Sequence, residues 1–365
     1  MIPPSFEGRL GLVQRVLPAY RAPFFEALAQ RCAGGLGLFA GQARAEEAIA
    51  SLDTLEHARL FPAKNTHILS TSSSLYFCYQ SGLLNWLEEW NPRGLIVEAN
   101  FRYLSSPAGI RWMKKRARPV VGWGLGAPMS RGALSGLRGN FLRQFDALIA
   151  YSERGASQYA ACGISADKIF VAPNAVAAAP TRALPERPAV YAGAPSLLFV
   201  GRLQARKRLP ALLKACAGLP AVLKPRLVIV GDGPEADSLR ALARDLYPEA
   251  EFTGAKQGAE LEPYFLGADL FVLPGTGGLA VQQAMSHGLP VIVAQGDGTQ
   301  DDLVRPANGW QIRPDDDDAL AVTLVEALSD LPRLRAMGAE SYRIVAQEIN
   351  LEKMVDVFVT TLSSL

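Results

Sequence analysis

The chain of 365 residues is poor in cysteine and histidine and has no long apolar run. Its four cysteines, Cys32, Cys78, Cys162 and Cys216, stand far apart with no Cys-x-x-Cys pair. That argues against a zinc ribbon, a dithiol redox motif or a disulfide scaffold. The three histidines, His57, His67 and His287, have no His or Cys at metal-ligand spacing, so a zinc hydrolase is not expected. No stretch reaches the roughly 18 unbroken apolar residues of a membrane span, and the first turns of chain lack an apolar core of signal-peptide length. A cytoplasmic protein is therefore expected. What is present, 49% hydrophobic and 20% charged residues, is the composition of an ordinary globular chain long enough for two domains.

The net charge of +2 hides an asymmetry. Residues 1–180 carry 19 Lys/Arg against 12 Asp/Glu, and residues 181–365 carry 18 against 23. The densest basic cluster is Arg111, Lys114, Lys115, Arg116 and Arg118 around Trp112 and Met113. It reads either as a patch for anionic lipid or phosphate, with a peripheral place at the inner face of a membrane, or as the solvated face of a helix end.

Strand-like and helix-like runs alternate through both halves, the pattern of an α/β protein with parallel sheets. In the first half the strand-like runs are 10–13, 36–39, 95–98, 120–122, 147–150 and 169–172. In the second half they are 197–200, 226–230, 251–253, 270–273 and 291–293. Between the halves, residues 176–195 are rich in Ala and Pro without apolar periodicity, which suits an exposed connection. The tail spaces Leu351, Met354, Val355, Phe358, Val359 and Leu362 as one face of an amphipathic helix.

The segments that carry chemistry follow strands. Val200-Gly201-Arg202 and Lys207 place a glycine and two cations on the turn into a helix, where backbone N–H groups and positive side chains suit a diphosphate; the P-loop spacing is absent. Gly231-Asp232-Gly233 repeats the strand–glycine–helix pattern, with Pro234 suited to the first helical position and a mainly architectural role. A third strand ends at Pro274. There Gly275-Thr276-Gly277-Gly278 permits close backbone approach to a ligand, a helix opens at Leu279, and Gln283 lies one turn inside it. A second turn, Gly296-Asp297-Gly298-Thr299, follows the next strand. Asp315 to Asp318 precede an apolar run and read as an N-cap with first-turn acids rather than metal ligands, and His287 reads as a partner for a helix C-terminus.

The order of these motifs, completed by Gln283-Ala284-Met285, Gly288, Pro290-Val291-Ile292 and Asn308-Gly309, resembles the nucleotide-sugar domain of glycosyltransferase family 4, the retaining GT-B enzymes. The resemblance is close over about residues 196–330 and general in the first half. It implies two doubly wound Rossmann-like domains facing across a cleft. An acceptor-binding domain is expected at 1–175, a linker at 176–195, a nucleotide-sugar domain at 196–349, and a closing helix at 350–365 that packs back on the first domain.

It further implies that Arg202 and Lys207 hold the donor diphosphate beside Gly201, that Gly254 to Lys256 lie against the base, and that Thr276, Gly277, Gly278, Leu279 and Gln283 hold the ribose and sugar. The nucleotide-sugar is then a substrate, with no cofactor, no metal and no nucleic-acid partner. Most members carry Glu-x7-Glu across this turn; this chain has Gly275 and Gln283. A histidine that many relatives carry in the first domain is missing from 119–130, where Gly122 to Ala127 imitates a dinucleotide fingerprint but Pro128 follows. Trp123 and Gly124 are expected to form a cleft loop, with Trp123 a stacking surface. Arg21 is either a cleft cation or part of a capped surface turn. The implied activity is sugar transfer to a glycan or lipid-linked acceptor in cell-surface polysaccharide or glycolipid synthesis. A fold that has lost turnover and serves as a scaffold, or a nucleotide-sugar epimerase, are the alternatives.

Overall fold

The computed structural model describes residues 5–44, 47, 49–69, 76–127, 133–191, 193–296 and 298–365; Pro128 and Asp297 lie outside these. The chain divides into two compact units, one of Met1–Val176 with Leu351–Leu365 and one of Ala177–Asn350.

The sheet of the first unit contains β1 (Leu10–Val16), β2 (Leu36–Gly41), β3 (Ala58–Ile68), β4 (Phe77–Ser81), β5 (Gly94–Glu98), β6 (Val120–Gly124), β7 (Ala147–Ala150) and β8 (Ile169–Val171) in the order β4-β3-β2-β1-β5-β6-β7-β8. All neighbours are parallel except β3 and β4. The order reverses between β1 and β5, the place where such sheets bind ligands at their carboxyl edge. Five of the strands follow from apolar runs buried on both faces, and β8 from a short half-buried one. β3 and β4 do not show in the sequence, because β3 contains Pro62, alternates polar with apolar residues and is half exposed at the sheet's margin.

The second unit is an all-parallel sheet of β9 (Ser196–Val200), β10 (Arg226–Val230), β11 (Glu251–Gly254), β12 (Leu270–Leu273), β13 (Val291–Ala294) and β14 (Gly309–Ile312), ordered β11-β10-β9-β12-β13-β14. Its switch point lies between β9 and β12. β14 is four residues with one apolar position at each end of Gln311, too short to give a periodic signal.

The last helix, Leu351–Ser363, is part of the first unit. Its Phe358 ring packs 4.9 Å from Phe24 and 5.0 Å from Trp123, and Asp356 pairs with Arg31 at 2.9 Å. The Ala/Pro-rich segment is exposed over most of its described residues and is tied to the second unit by hydrogen bonds. Arg187 donates to the carbonyls of Phe265 (3.0 Å), Leu266 (3.2 Å), Ala268 and His287 (2.9 Å), Tyr191 to Leu328 O at 3.1 Å, and Arg335 to Pro188 O at 3.0 Å. One buried guanidinium that satisfies four carbonyls fixes the segment as a strap of the second unit.

Asp316 caps the helix Asp317–Ser329, its Oδ1 accepting from Ala319 N at 2.8 Å, while Asp315 and Asp317 pair with Arg208 at 3.0 and 2.6 Å. The acidic run is thus a cap and a partner for one arginine. Replacing the cap, Asp316→Ala, is expected to lower unfolding stability by about 1 kcal/mol in a urea titration. Among the described residues, no helix is long and apolar enough to cross a membrane and no group of acidic, His and Cys residues could hold a metal ion.

Candidate functional site

At the carboxyl edge of the second sheet the turns after β9 and β10 interlock through their backbones. Gly201 N donates to Val230 O at 3.0 Å and Leu203 N to Asp232 O at 2.9 Å. A Cβ on Gly231, whose φ is +146°, would lie 1.9 Å from Gly201 O, and one on Gly233 2.3 Å from Leu203 O. These glycines exist because two main chains touch there. The helix that follows begins at Ala236 with Glu235 as its cap, so Pro234 precedes the helix instead of opening it.

The turn 275–278 is locked onto the turn Ala205–Lys207 in the same way. Thr276 N donates to Arg206 O at 3.1 Å, and a Cβ on Gly275 would lie 2.1 Å from Arg206 O and 2.6 Å from the backbone carbon atoms of Lys207. Lys207 is 5% exposed; its Nζ donates to Thr276 O at 2.8 Å and to Gly277 O. Arg206 Nη1 donates to Thr276 O at 3.1 Å while its Nε holds Gln204 Oε1 at 2.9 Å. Burial, and then the neighbouring Arg206 charge, push the Lys207 ammonium down to about 8. The result is a positively charged shelf on which, among the described residues, the N–H groups of Gly277 and Gly278 have no protein acceptor.

The other residues the sequence points to lie on the turns and helices that follow β9, β11 and β12. Arg202 is exposed on the turn after β9, and Leu279 caps the helix Ala280–Ser286. Gly254 ends β11 with φ +74°, and Lys256 sits 3.8 Å from Glu260. Gln283 faces a cavity of about 500 Å³ whose walls also include Gly258, Phe265, His287 and the strap residues Arg182 and Pro185. His287 stacks on Phe265 at 4.9 Å and its Nδ1 lies 2.8 Å from Gln283 O at the helix end. Arg206 is the residue that sequence reading missed; beside Lys207 on a basic stretch, nothing local distinguishes it from its solvated neighbours.

The first unit corrects two expectations. Trp123 is no stacking surface: it lies within β6, is 1% exposed and packs against Phe24, Phe358 and Tyr151 at 5.3, 5.0 and 5.1 Å. Gly124 closes the same strand; a Cβ there would lie 2.9 Å from the Tyr159 hydroxyl oxygen. Arg21 is buried rather than part of a surface turn. Its guanidinium donates to Asn174 Oδ1 and to Ala175 O, and lies 5.4–5.6 Å from the Tyr20, Trp123 and Tyr151 rings. It therefore ties the end of β1 to the Ala172–Val176 segment.

The basic cluster is also reduced. Trp112 and Met113 are buried in the core and unavailable as an apolar anchor. Lys114 pairs with Asp146, Arg116 pairs with Glu88 at 3.0 Å and covers the Trp112 ring at 3.7 Å, and Arg118 donates to Asn91 and Pro92. Arg111 and Lys115 remain exposed.

With this geometry in view, residues 181–344, all within the second unit, match the family described as glycosyl transferases group 1. A GDP-mannose-dependent alpha-mannosyltransferase of Corynebacterium glutamicum is 41% identical over 114 residues, 30% of this chain and 26% of that protein. A GDP-mannose-dependent monoacylated alpha-(1-6)-phosphatidylinositol monomannoside mannosyltransferase of the same organism is 33% identical over 174 residues, 44% of this chain and 45% of that protein. The chain thus spans between a quarter and a half of the length of these curated relatives. Over nearly the whole chain, the crystal structure of Anabaena Alr3699/HepE in complex with UDP superimposes with a TM-score of 0.72 at 18% identity, covering 98% of this chain and 100% of that one. The fold is GT-B. Within a GT-B chain, the shelf of Arg206 and Lys207 occupies the carboxyl edge of the second Rossmann-like domain at the β9/β12 switch point.

Proposed function

We propose that this chain is a glycosyltransferase that moves a sugar from a nucleoside-diphosphate sugar to a glycan or lipid-linked acceptor in surface-polysaccharide or glycolipid assembly. The observation that carries this reading is the shelf itself: a buried lysine held against the 275–278 turn, with Arg206 and the free N–H groups of Gly277 and Gly278 beside it. Preorganised donors of this kind stabilise the charge that grows on a departing diphosphate. The named relatives use GDP-mannose and the solved structure holds UDP, which share the nucleoside diphosphate that such a shelf would grip.

In the proposed reaction the bond between the anomeric carbon and the diphosphate oxygen breaks. The acceptor oxygen bonds to the same carbon from the same face, and its proton passes to the departing phosphate. Configuration is retained. Lys207, Arg202 and the Gly277 and Gly278 N–H groups hold the diphosphate, Gly254 to Lys256 lie against the base, and Gln283 donates to and accepts from the ribose hydroxyls. This assignment gives charge stabilisation to side chains and N–H groups and calls for no resident metal. The first domain binds the acceptor, and any contact with an anionic membrane rests on Arg111 and Lys115.

Calorimetric titration with UDP, GDP, ADP and dTDP tests the reading. At least one binds, and Arg202→Ala weakens it by about ten- to one-hundredfold, the worth of a charge-assisted phosphate contact. Absence of binding by all four, or an unchanged affinity in the variant, removes the donor assignment.

A further inference from the structure

The donor assignment spends Arg202 and Lys207 on the diphosphate and leaves Arg206 over. Residues 201–208 carry four cations and no acid, and residues 270–296, which include the facing turn and its helix, contain no Asp or Glu. Of the four cations, Arg208 is neutralised by Asp315 and Asp317 at 3.0 and 2.6 Å. Arg206 is exposed and, among the described residues, has no carboxylate partner. The diphosphate of a nucleotide-sugar carries one negative charge on each phosphate, and Arg202 and Lys207 balance these. A third cation held on the same turn finds no counter-charge in a donor whose sugar is neutral.

The guanidinium is held in place. Its Nε donates to Gln204 Oε1 at 2.9 Å and its Nη1 to Thr276 O at 3.1 Å, and a Cβ on Gly277 would lie 3.0 Å from Nη1. Its other N–H groups meet no protein acceptor among the described residues. The acceptors on the two turns are already engaged: Thr276 O takes Lys207 at 2.8 Å as well as Arg206, Gly277 O takes Lys207, and Gln204 Oε1 takes Arg206. The surface therefore donates and offers little to accept. Sugar hydroxyls must donate as well as accept, so they pair poorly with it. A carboxylate only accepts, and its two oxygens match the fork of a guanidinium.

We propose that Arg206 grips a carboxylate on the donor sugar, so that the nucleoside-diphosphate sugar used by this chain is a hexuronate. Gly275 contributes by what it lacks: the Arg206 and Lys207 backbones fill its side-chain space, so no acidic side chain stands on that turn to neutralise the guanidinium. The inference rests on the transferase reading, and deepens it by naming the class of sugar and the residue that selects it.

The test titrates the whole chain calorimetrically with matched donors that differ only in carrying a carboxylate or a hydroxymethyl group: UDP-glucuronate with UDP-glucose, UDP-galacturonate with UDP-galactose, and GDP-mannuronate with GDP-mannose. The readout is the affinity ratio within a pair, which cancels whatever Arg206 adds to the diphosphate. Wild type is expected to bind the uronate of at least one pair about tenfold or more tighter than its neutral partner, the worth of a charge-assisted bidentate contact. In Arg206→Gln that ratio is expected to fall to within about twofold of unity. Arg206→Lys, which keeps the charge and loses the fork, is expected to lie between.

A wild type that binds both members of every pair equally, or prefers the neutral one, overturns the proposal and makes Arg206 a third diphosphate contact. So does a uronate preference that survives in Arg206→Gln, which would put the carboxylate on another cation. Where Arg206→Gln binds no donor, Arg206→Lys decides: a ratio below that of wild type supports the assignment, and an equal ratio overturns it. Failure of wild type to bind UDP, GDP or any of the six donors would instead overturn the transferase reading on which the inference rests.

Discussion

Gly275→Ala is expected to abolish measurable nucleotide binding and to destabilise the second unit by about 3 kcal/mol or more. The new methyl would sit 2.1 Å from Arg206 O and 2.6 Å from the main chain of Lys207, and neither neighbour is the movable end of a side chain. To admit it the two turns must part, which breaks the Thr276 N–Arg206 O bond and lifts the Lys207 ammonium from the carbonyls it holds. Gly277→Ala is the control. Its added carbon would meet only side-chain ends, the Arg206 guanidinium at 3.0 Å and the Lys207 ammonium at 3.9 Å, and its φ of +65° costs about 1 kcal/mol for a non-glycine residue. Thermal melts and calorimetric titrations of the two variants should therefore separate widely; a Gly275→Ala protein that melts and binds like wild type would show that the lock is not needed. The same geometry means that a carboxylate cannot simply be placed here: Gly275→Glu has no room for its first carbon.

Lys207→Met should weaken nucleoside-diphosphate binding by about tenfold or more while keeping the packing of the apolar stem, because it removes one charge-assisted contact and two bonds that shape the turn. The accompanying pH dependence follows from the lysine's position at about 8, lowered first by burial and then by Arg206. A bound diphosphate favours the ammonium. Below pH 8 the lysine of the free protein is already charged and affinity is flat. Above it a proton must be taken up on binding, and affinity falls by up to about tenfold per pH unit.

Stability runs the other way. The unfolded lysine keeps its proton to its ordinary value, so between that value and 8 the unfolded chain binds more protons. This one group then makes the unliganded protein more stable as pH rises through the interval. Titrations between pH 7 and 9 check the sign; equal slopes in wild type and Lys207→Met would mean that Lys207 does not report on the ligand.

Strand runs such as Leu197–Val200, Leu227–Val230, Leu270–Leu273 and Val291–Val293 declare themselves because strands buried on both faces are apolar throughout, whatever lies beside them. The glycine turns after them are equally local, since close main-chain approach leaves room for no other residue. The ordered spacing of these turns therefore sufficed for the fold class.

Other features depend on partners far along the chain. Trp123 reads as an exposed loop residue until the helix carrying Phe24 and the final helix carrying Phe358 close over it. The strap at 177–195 reads as free until Arg187 finds carbonyls some eighty to one hundred residues away. Gly275 reads as a lost carboxylate until the backbone of Arg206 occupies its side-chain space. Glu98 finds its donors, Arg15 N and the Tyr103 hydroxyl, only once the sheet has formed. The sequence determined which segments are buried and where the chain turns, because those depend on a residue and its near neighbours. Tertiary structure alone decided which polar groups are satisfied and which are left for a ligand, because hydrogen bonds and desolvation are set by groups that meet only when the sheets have formed.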